Sequence, residues 1–157
     1  METLKHPLNL LWLCILLHLI ADFNLQGILA DMKQKGWWKK QVKKVFGKGP
    51  LDTVYPPGTD IRDHIELPTW YDNDWIAGLI CHVFMWSILT FLPLMLVVPP
   101  KFFSYIVIIN AIVHAVVDHL KCNRLGTLNL CQDQLWHIVQ VVYTVSLVYL
   151  LTQANII

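Results

Sequence analysis

Four apolar segments recur along the chain and are separated by polar stretches of very different length. The segments cover about 7–26, 75–98, 102–120 and 134–152. Crossing the hydrocarbon core of a bilayer takes about 20 mostly apolar residues in a helix. Each segment therefore predicts one transmembrane helix. The predicted fold is an all-α integral membrane four-helix bundle, a single transmembrane domain over residues 1–157.

The first segment has a second interpretation, because Lys5 precedes its apolar run as in a secretory signal peptide. No small-residue cleavage motif follows the run, and the segment contributes His18 and Asp22 to the pattern described below. We therefore expect it to remain part of the protein as a helix.

The connections predict how the helices alternate in direction. The second and third segments are joined by PPK, the third and fourth by a short loop, and the first and second by a polar insert at about 27–74. Short connections make antiparallel neighbours, so the bundle is predicted to be up-down. The insert and the loop before the fourth segment then share one side, here called side X.

Positive charge is concentrated on side X. Ten of the twelve Lys and Arg residues fall there: Lys33, Lys35, Lys39, Lys40, Lys43, Lys44, Lys48, Arg62, Lys121 and Arg124. By the positive-inside rule, side X faces the cytoplasm and both termini face outward.

The basic part of the insert, KQKGWWKKQVKKVFGKG, has a helical period. It places Trp38, Val42 and Val45 on one face and lysines on the others. This pattern predicts a basic amphipathic helix lying in the membrane interface, and the alternative is a solvated basic loop. The lysines expected to contact anionic lipid headgroups are Lys39, Lys40, Lys43 and Lys44.

Composition agrees with a membrane protein. Apolar residues make up 55% and charged residues 15% of the chain, with a mean hydropathy of +0.49, whereas soluble domains carry about 25% charged residues. The formal net charge of +1 shows no basic excess, so no nucleic-acid partner is predicted. The four cysteines form no CxxC pair and predict no disulfide framework.

Ionisable residues inside the predicted spans indicate a function, because each costs about 2.5–3.5 kcal/mol on insertion scales. In three segments a histidine and an aspartate lie four residues apart, which places them on one helix face. The pairs are His18 with Asp22, His114 with Asp118, and Asp133 with His137, while the second segment contributes His82. The first and third segments run toward side X and read His then Asp, whereas the fourth runs away from side X and reads Asp then His. The histidines are therefore all predicted to lie deeper in the membrane than the aspartates.

Such a cluster is typical of a metal site, since a divalent cation compensates desolvated imidazoles and carboxylates and uses their lone pairs. The cluster suits two ions, or one ion whose imidazole ligands donate their other ring N–H groups to the carboxylates. Mixed nitrogen and oxygen ligands favour Zn, Mn or Fe. The predicted ligands are His18, Asp22, His82, His114, Asp118, Asp133 and His137.

Three motifs, HLIADFNLQ at 18–26, HAVVDHLK at 114–121 and DQLWH at 133–137, together resemble the domain of unknown function 3307 family. These small bacterial and phage membrane proteins carry H-x3-D-F-x2-Q, H-x3-D-x2-K and D-Q-x2-H in their first, third and fourth helices, and one histidine in the second. The matching residues are His18, Asp22, Gln26, His82, His114, Asp118, Lys121, Asp133, Gln134 and His137.

The resemblance implies a bacterial inner-membrane location, and we expect Gln26 and Gln134 to support the metal ligands. The chain departs from the family in its insert at about 36–74. The family name implies no activity. A more distant similarity to membrane-embedded metal-dependent hydrolases is an analogy.

The leading hypothesis is a metal-dependent hydrolase acting on a lipid headgroup ester or phosphoester near the cytoplasmic face. One aspartate near side X would act as general base, and Lys121 would stabilise developing negative charge. The catalytic candidates are Asp22, Asp118, Asp133 and Lys121. One alternative is a proton or metal-ion transporter, for which an oligomer is expected. Another is a non-enzymatic phage or bacterial membrane factor, whose polar cluster only holds the helices together.

Overall fold

The computed structural model describes residues 6–24, 27–46, 73–123 and 129–157. Gln26 and the second half of the insert lie outside them. The described elements are α1 (Pro7–Leu19) with a π-helical turn (Ile20–Asn24), α2 (Ile28–Met32), α3 (Lys35–Phe46), α4 (Asp74–Phe91) with a 3-10 turn (Leu92–Leu96), α5 (Pro100–Asn123) and α6 (Leu130–Gln153).

Four of these helical segments are long and apolar enough to cross a membrane, which confirms the predicted all-α four-helix class. They are Pro7–Asn24, Asp74–Leu96, Pro100–Cys122 and Leu130–Gln153. Large apolar side chains point outward, for example Trp12 at 68% exposed and Ile109 at 61%, whereas Asp118 inside the bundle is 1% exposed. A soluble bundle carries polar residues on its outer face, so this outer surface suits a lipid environment.

The four long helices form a ring in which α1 and α5 each pack against both α4 and α6. Pro7 and Leu10 lie at the start of α1, beside Leu96 at the end of the turn after α4 and Thr152 near the end of α6. Neighbours in the ring therefore run antiparallel. The main apolar core fills the half of the bundle away from side X and includes Cys14, Trp86, Phe91, Leu94 and Val141.

Helix α6 begins at Leu130, one turn before the start expected from hydropathy at about 134. The backbone N–H of Gln132 donates to Asn129 Oδ1 at 2.9 Å, and the backbone N–H of Asn129 donates to Gln132 Oε1 at 3.0 Å. This reciprocal capping box satisfies two N–H groups that would otherwise lack partners. The cap therefore places Asp133 in the first turn of α6 rather than in the preceding loop.

The insert does not leave the bundle at once, because α2 packs back against α4. Gly27 has a positive φ of 44°, which permits the change of direction after the first span. The closest approach is at Gly78, where a Cβ atom would lie 2.6 Å from the carbonyl oxygen of Met32. Trp38 Nε1 donates to the same oxygen at 2.7 Å. This packing directs the side chain of Lys33 into the bundle, where the residue is buried.

The basic part of the insert forms α3 over Lys35–Phe46, so the helix predicted there is present. The residues Lys39, Lys40, Lys43 and Lys44 all lie on it, and Lys40 is exposed. Their contact with anionic lipid headgroups stays a prediction.

Candidate metal centre

Four histidines converge around Trp86, a fully buried residue of α4. The indole of Trp86 stacks on the ring of His114, with centroids 4.0 Å apart and planes 16° apart. The rings of His18 and His137 lie 5.5 and 5.6 Å from it. The ring of His82 lies 5.2 Å from that of His114. Each of the four long helices thus contributes one fully buried imidazole to the same site.

Two of these imidazoles and one carboxylate form a close triangle. His82 Nε2 lies 3.1 Å from His114 Nε2 and 2.8 Å from Asp118 Oδ2, and the third edge, His114 Nε2 to Asp118 Oδ2, is 3.4 Å. Bonds of about 2.0–2.1 Å from zinc to nitrogen or oxygen separate tetrahedral ligand atoms by about 3.3 Å. The three edges are close to the spacing of ligand atoms around one ion.

Two groups of side chains in the site can hold a metal ion. Asp22, His82 and His114 make up one group, and His114, Asp118 and His137 make up the other. Within each group the ligand atoms lie within 4.8 Å of one another. His114 belongs to both, and its Nδ1 lies 3.0 Å from Nδ1 of His137 while its Nε2 faces His82. The arrangement is therefore compatible with one ion or with two.

Two lysines compensate the carboxylates. Lys33 Nζ donates to Asp118 Oδ2 at 2.7 Å and lies 3.1 Å from His82 Nε2. Lys121 forms an ion pair with Asp133 across α5 and α6. The Lys33 side chain is 8% exposed and that of Lys121 is 27% exposed. In the low dielectric of the bundle, such pairing offsets the cost of burying carboxylates.

Three polar atoms of the site are buried without a hydrogen-bond partner among the described residues: His82 Nδ1, His137 Nε2 and Asp133 Oδ1. His137 Nε2 lies 3.4 Å from Asp133 Oδ1 and 3.7 Å from Asp118 Oδ1, too far for good hydrogen bonds. Each buried polar atom without a partner costs about 1–3 kcal/mol. A cation held between His137 Nε2 and Asp118 Oδ1 would remove the cost at that nitrogen, so the group of His114, Asp118 and His137 fits a metal ion.

His18 is placed beside the two ligand groups, with both ring nitrogens in hydrogen bonds. Trp86 Nε1 donates to His18 Nδ1 at 2.9 Å, so the hydrogen of the neutral ring is on Nε2, which donates to Gln134 Oε1 at 3.1 Å. The amide nitrogen of Gln134 in turn donates to Asp22. Gln134 therefore positions two of the predicted ligands, and metal ligation by His18 itself stays a prediction.

Lys33 and Trp86 belong to the site but were not candidates from the sequence. Trp86 lies one turn from His82 on α4, so an i, i+4 search from the histidine could have found it. No helical periodicity connects Lys33 to the cluster, because α2 is a separate short helix. Gln26, predicted to support the ligands, lies outside the described residues.

A comparison of the chain with protein-family models, curated proteins and solved structures finds no match. The resemblance to the domain of unknown function 3307 family therefore stays a prediction. The fold and the site define a class: an all-helical protein with four helices suited to a membrane and a buried His/Asp cluster that can hold a metal ion.

Proposed function

We propose that the protein is a metal-dependent membrane hydrolase that cleaves an ester or phosphoester in a lipid headgroup. The observation that carries the proposal is the triangle of His82 Nε2, His114 Nε2 and Asp118 Oδ2, whose edges of 2.8–3.4 Å suit one divalent ion. When bound, a Zn, Mn or Fe ion would lower the pKa of a water molecule and polarise the scissile ester.

The chain's own residues supply the remaining chemistry. Asp133 is the favoured general base, since its Oδ1 is buried, has no hydrogen-bond partner among the described residues and lies 3.4 Å from His137 Nε2. Lys121, which pairs with Asp133 and is partly exposed, would stabilise developing negative charge on the substrate. Asp22 and Asp118 belong to the metal-holding groups.

A divalent ion at the triangle would take over the charge compensation that Lys33 provides. The ammonium group contacts two corners of the triangle, so it has to move as the ion binds. Metal binding and the Lys33–Asp118 ion pair are therefore proposed to be alternatives.

A proton pathway is a second candidate function, favoured by a chain of imidazoles. His82 Nε2, the two nitrogens of His114 and His137 Nδ1 are joined by contacts of 3.1 and 3.0 Å, both within hydrogen-bond range. Such a chain transfers protons by exchange of hydrogen bonds, and intramembrane histidines are common in proton relays.

The proposed location is the bacterial inner membrane, with both termini outside and the insert in the cytoplasm. Lysines of α3 and Lys121 near the end of α5 support it, because cytoplasmic loops carry an excess of Lys and Arg. Anionic lipid at α3 is the proposed partner, and an oligomer is expected if the protein transports ions.

Elemental analysis of the detergent-purified protein tests the metal site. We expect about one to two equivalents of a transition metal after supplementation, and less than about one tenth of that in Asp118→Asn and His114→Ala. His119→Ala is the matched control on the same helix, because His119 stacks on Trp75 and is in neither metal-holding group. Metal content that is absent from the wild type, or equal in all three variants, would contradict the site.

Activity in liposomes separates the two functions. Release of a headgroup from phospholipid that requires metal and is lost in Asp133→Asn supports the hydrolase. A proton flux that persists in metal-free protein and is lost in His114→Ala, without headgroup release, supports the relay instead.

A further inference from the structure

A groove lies on the outer face of the bundle, between α5 and α6. It encloses about 420 Å³ and is lined almost wholly by apolar side chains. The lining begins at Val117 and Trp136, which adjoin the site residues Asp118 and His137 in sequence, and extends to Phe102 and Leu151 near the far ends of the helices.

The floor of this groove is closed by polar contacts between its two helices. Gln140 Nε2 donates to both the carbonyl oxygen and Oδ1 of Asn110 at 2.8 Å. Thr144 Oγ1 donates to Asn110 Oδ1 at 3.0 Å. These bonds hold α5 and α6 together behind the groove. Its outer side remains open, since Ile109 and Tyr143 in the lining are exposed.

The dimensions of the groove fit one polymethylene chain. The fifteen residue steps from Phe102 to Val117 correspond to about 22 Å of helix. A chain of methylene groups is about 4 Å thick, since nonbonded carbons approach to about 3.5–4.0 Å. A chain of this thickness can lie lengthwise between the two helices, with its methylene groups against the apolar lining.

A cationic side chain, that of Lys121, lies beyond the end of the groove nearest the metal centre, where it pairs with Asp133. Val113, Val117 and Lys121 follow one another at intervals of four residues and so share one face of α5. Val113 and Val117 line the groove, and Lys121 lies one turn beyond them with its side chain 27% exposed. The sequence of groups along this face, apolar and then cationic, matches an acyl chain followed by an anionic headgroup.

We infer that the α5–α6 groove binds one acyl chain of an anionic phospholipid and that Lys121 binds its phosphate. One consequence rests on the proposed function: the lipid bound in the groove would be the substrate of the metal centre. The substrate would then be a long-chain anionic phospholipid. The binding itself needs neither metal nor turnover.

The test measures lipid bound to the full-length protein in detergent, in the presence of a chelator. Phosphatidylglycerol is titrated against the protein, with phosphatidylcholine as the uncharged comparison, and bound lipid is counted by native mass spectrometry. We expect one tightly bound phosphatidylglycerol per chain. Val113→Trp should weaken its binding by about tenfold or more, because the indole fills the groove. Ile108→Trp is the matched control, since Ile108 is exposed to lipid on the same helix and does not line the groove.

The headgroup contact is tested separately. Lys121→Gln should abolish the preference for phosphatidylglycerol over phosphatidylcholine, Lys121→Arg should retain it, and Lys101→Gln at the opposite end of α5 should leave it unchanged. Equal losses in Val113→Trp and Ile108→Trp, or equal preferences in Lys121→Gln and Lys101→Gln, would overturn the inference. So would a change of oligomeric state in Val113→Trp without loss of lipid, which would assign the groove to a second copy of the chain.

Failure of this inference is distinguishable from failure of the proposed function. Lipid binding that follows these variants in a protein without hydrolytic activity refutes only the hydrolase. Headgroup release that is unaffected by Val113→Trp refutes only the groove as the substrate site.

Discussion

Replacing Lys33 with methionine tests whether its ammonium group stands in for a metal ion. Lys33 Nζ contacts Asp118 Oδ2 at 2.7 Å and His82 Nε2 at 3.1 Å, and the carboxylate is 1% exposed. Methionine keeps an unbranched apolar stem and removes the charge. Without metal, the carboxylate loses its closest cation while it stays buried.

The size of the effect follows from that burial. Removing one partner of a buried ion pair costs about 3–5 kcal/mol, because the other charge is left uncompensated. An ion present at 100 times its Kd returns about 2.7 kcal/mol to a folded protein that binds it. In the wild type, part of this gain is lost because the ion first has to displace the ammonium group. Lys33→Met should therefore be the less stable protein without metal and the more strongly stabilised one with it.

Unfolding in detergent, followed with and without Zn²⁺ or Mn²⁺, measures the stability of each protein without metal and its stabilisation by metal. Lys33→Arg, which keeps the charge, should remain close to the wild type in both conditions. Lys40→Met serves as control because Lys40 is exposed on α3, and it should leave both curves unchanged. The reasoning is refuted if Lys33→Met equals the wild type without metal, or if metal stabilises the two proteins equally.

Two further changes probe how the site is held. Gly78→Ala should destabilise the protein by about 1–3 kcal/mol and displace α2, because the new Cβ meets the carbonyl oxygen of Met32 at 2.6 Å. Gly36→Ala, whose Cβ meets nothing within 4 Å, should not destabilise it in the same thermal-unfolding assay, and equal losses would contradict the packing argument. Trp86→Phe keeps an aromatic ring but removes the N–H donor to His18 Nδ1, so we expect a loss of about 1 kcal/mol. A shift of the His18 ring signals in NMR spectra of labelled protein would accompany that loss, and unchanged signals would refute the role of this hydrogen bond.

Much of the fold could be predicted from the sequence because a membrane imposes a strong local constraint. A helix that crosses lipid needs a long apolar run, and the four runs are visible without any tertiary information. The same holds for α3, whose apolar residues recur at helical spacing among lysines and so indicate a helix by themselves. The exact start of α6 was not visible in hydropathy, since it depends on the capping bonds of Asn129 and Gln132.

The sequence by itself also determined which polar residues share a helix face, because His114 and Asp118, like Asp133 and His137, are one turn apart on a single helix. Only the tertiary structure decided what each of these groups contacts. Lys33 reaches Asp118 because α2 folds back onto Gly78, a contact between segments far apart in the chain. Helical periodicity relates residues within one helix, whereas the partner of a buried charge depends on how separate helices pack.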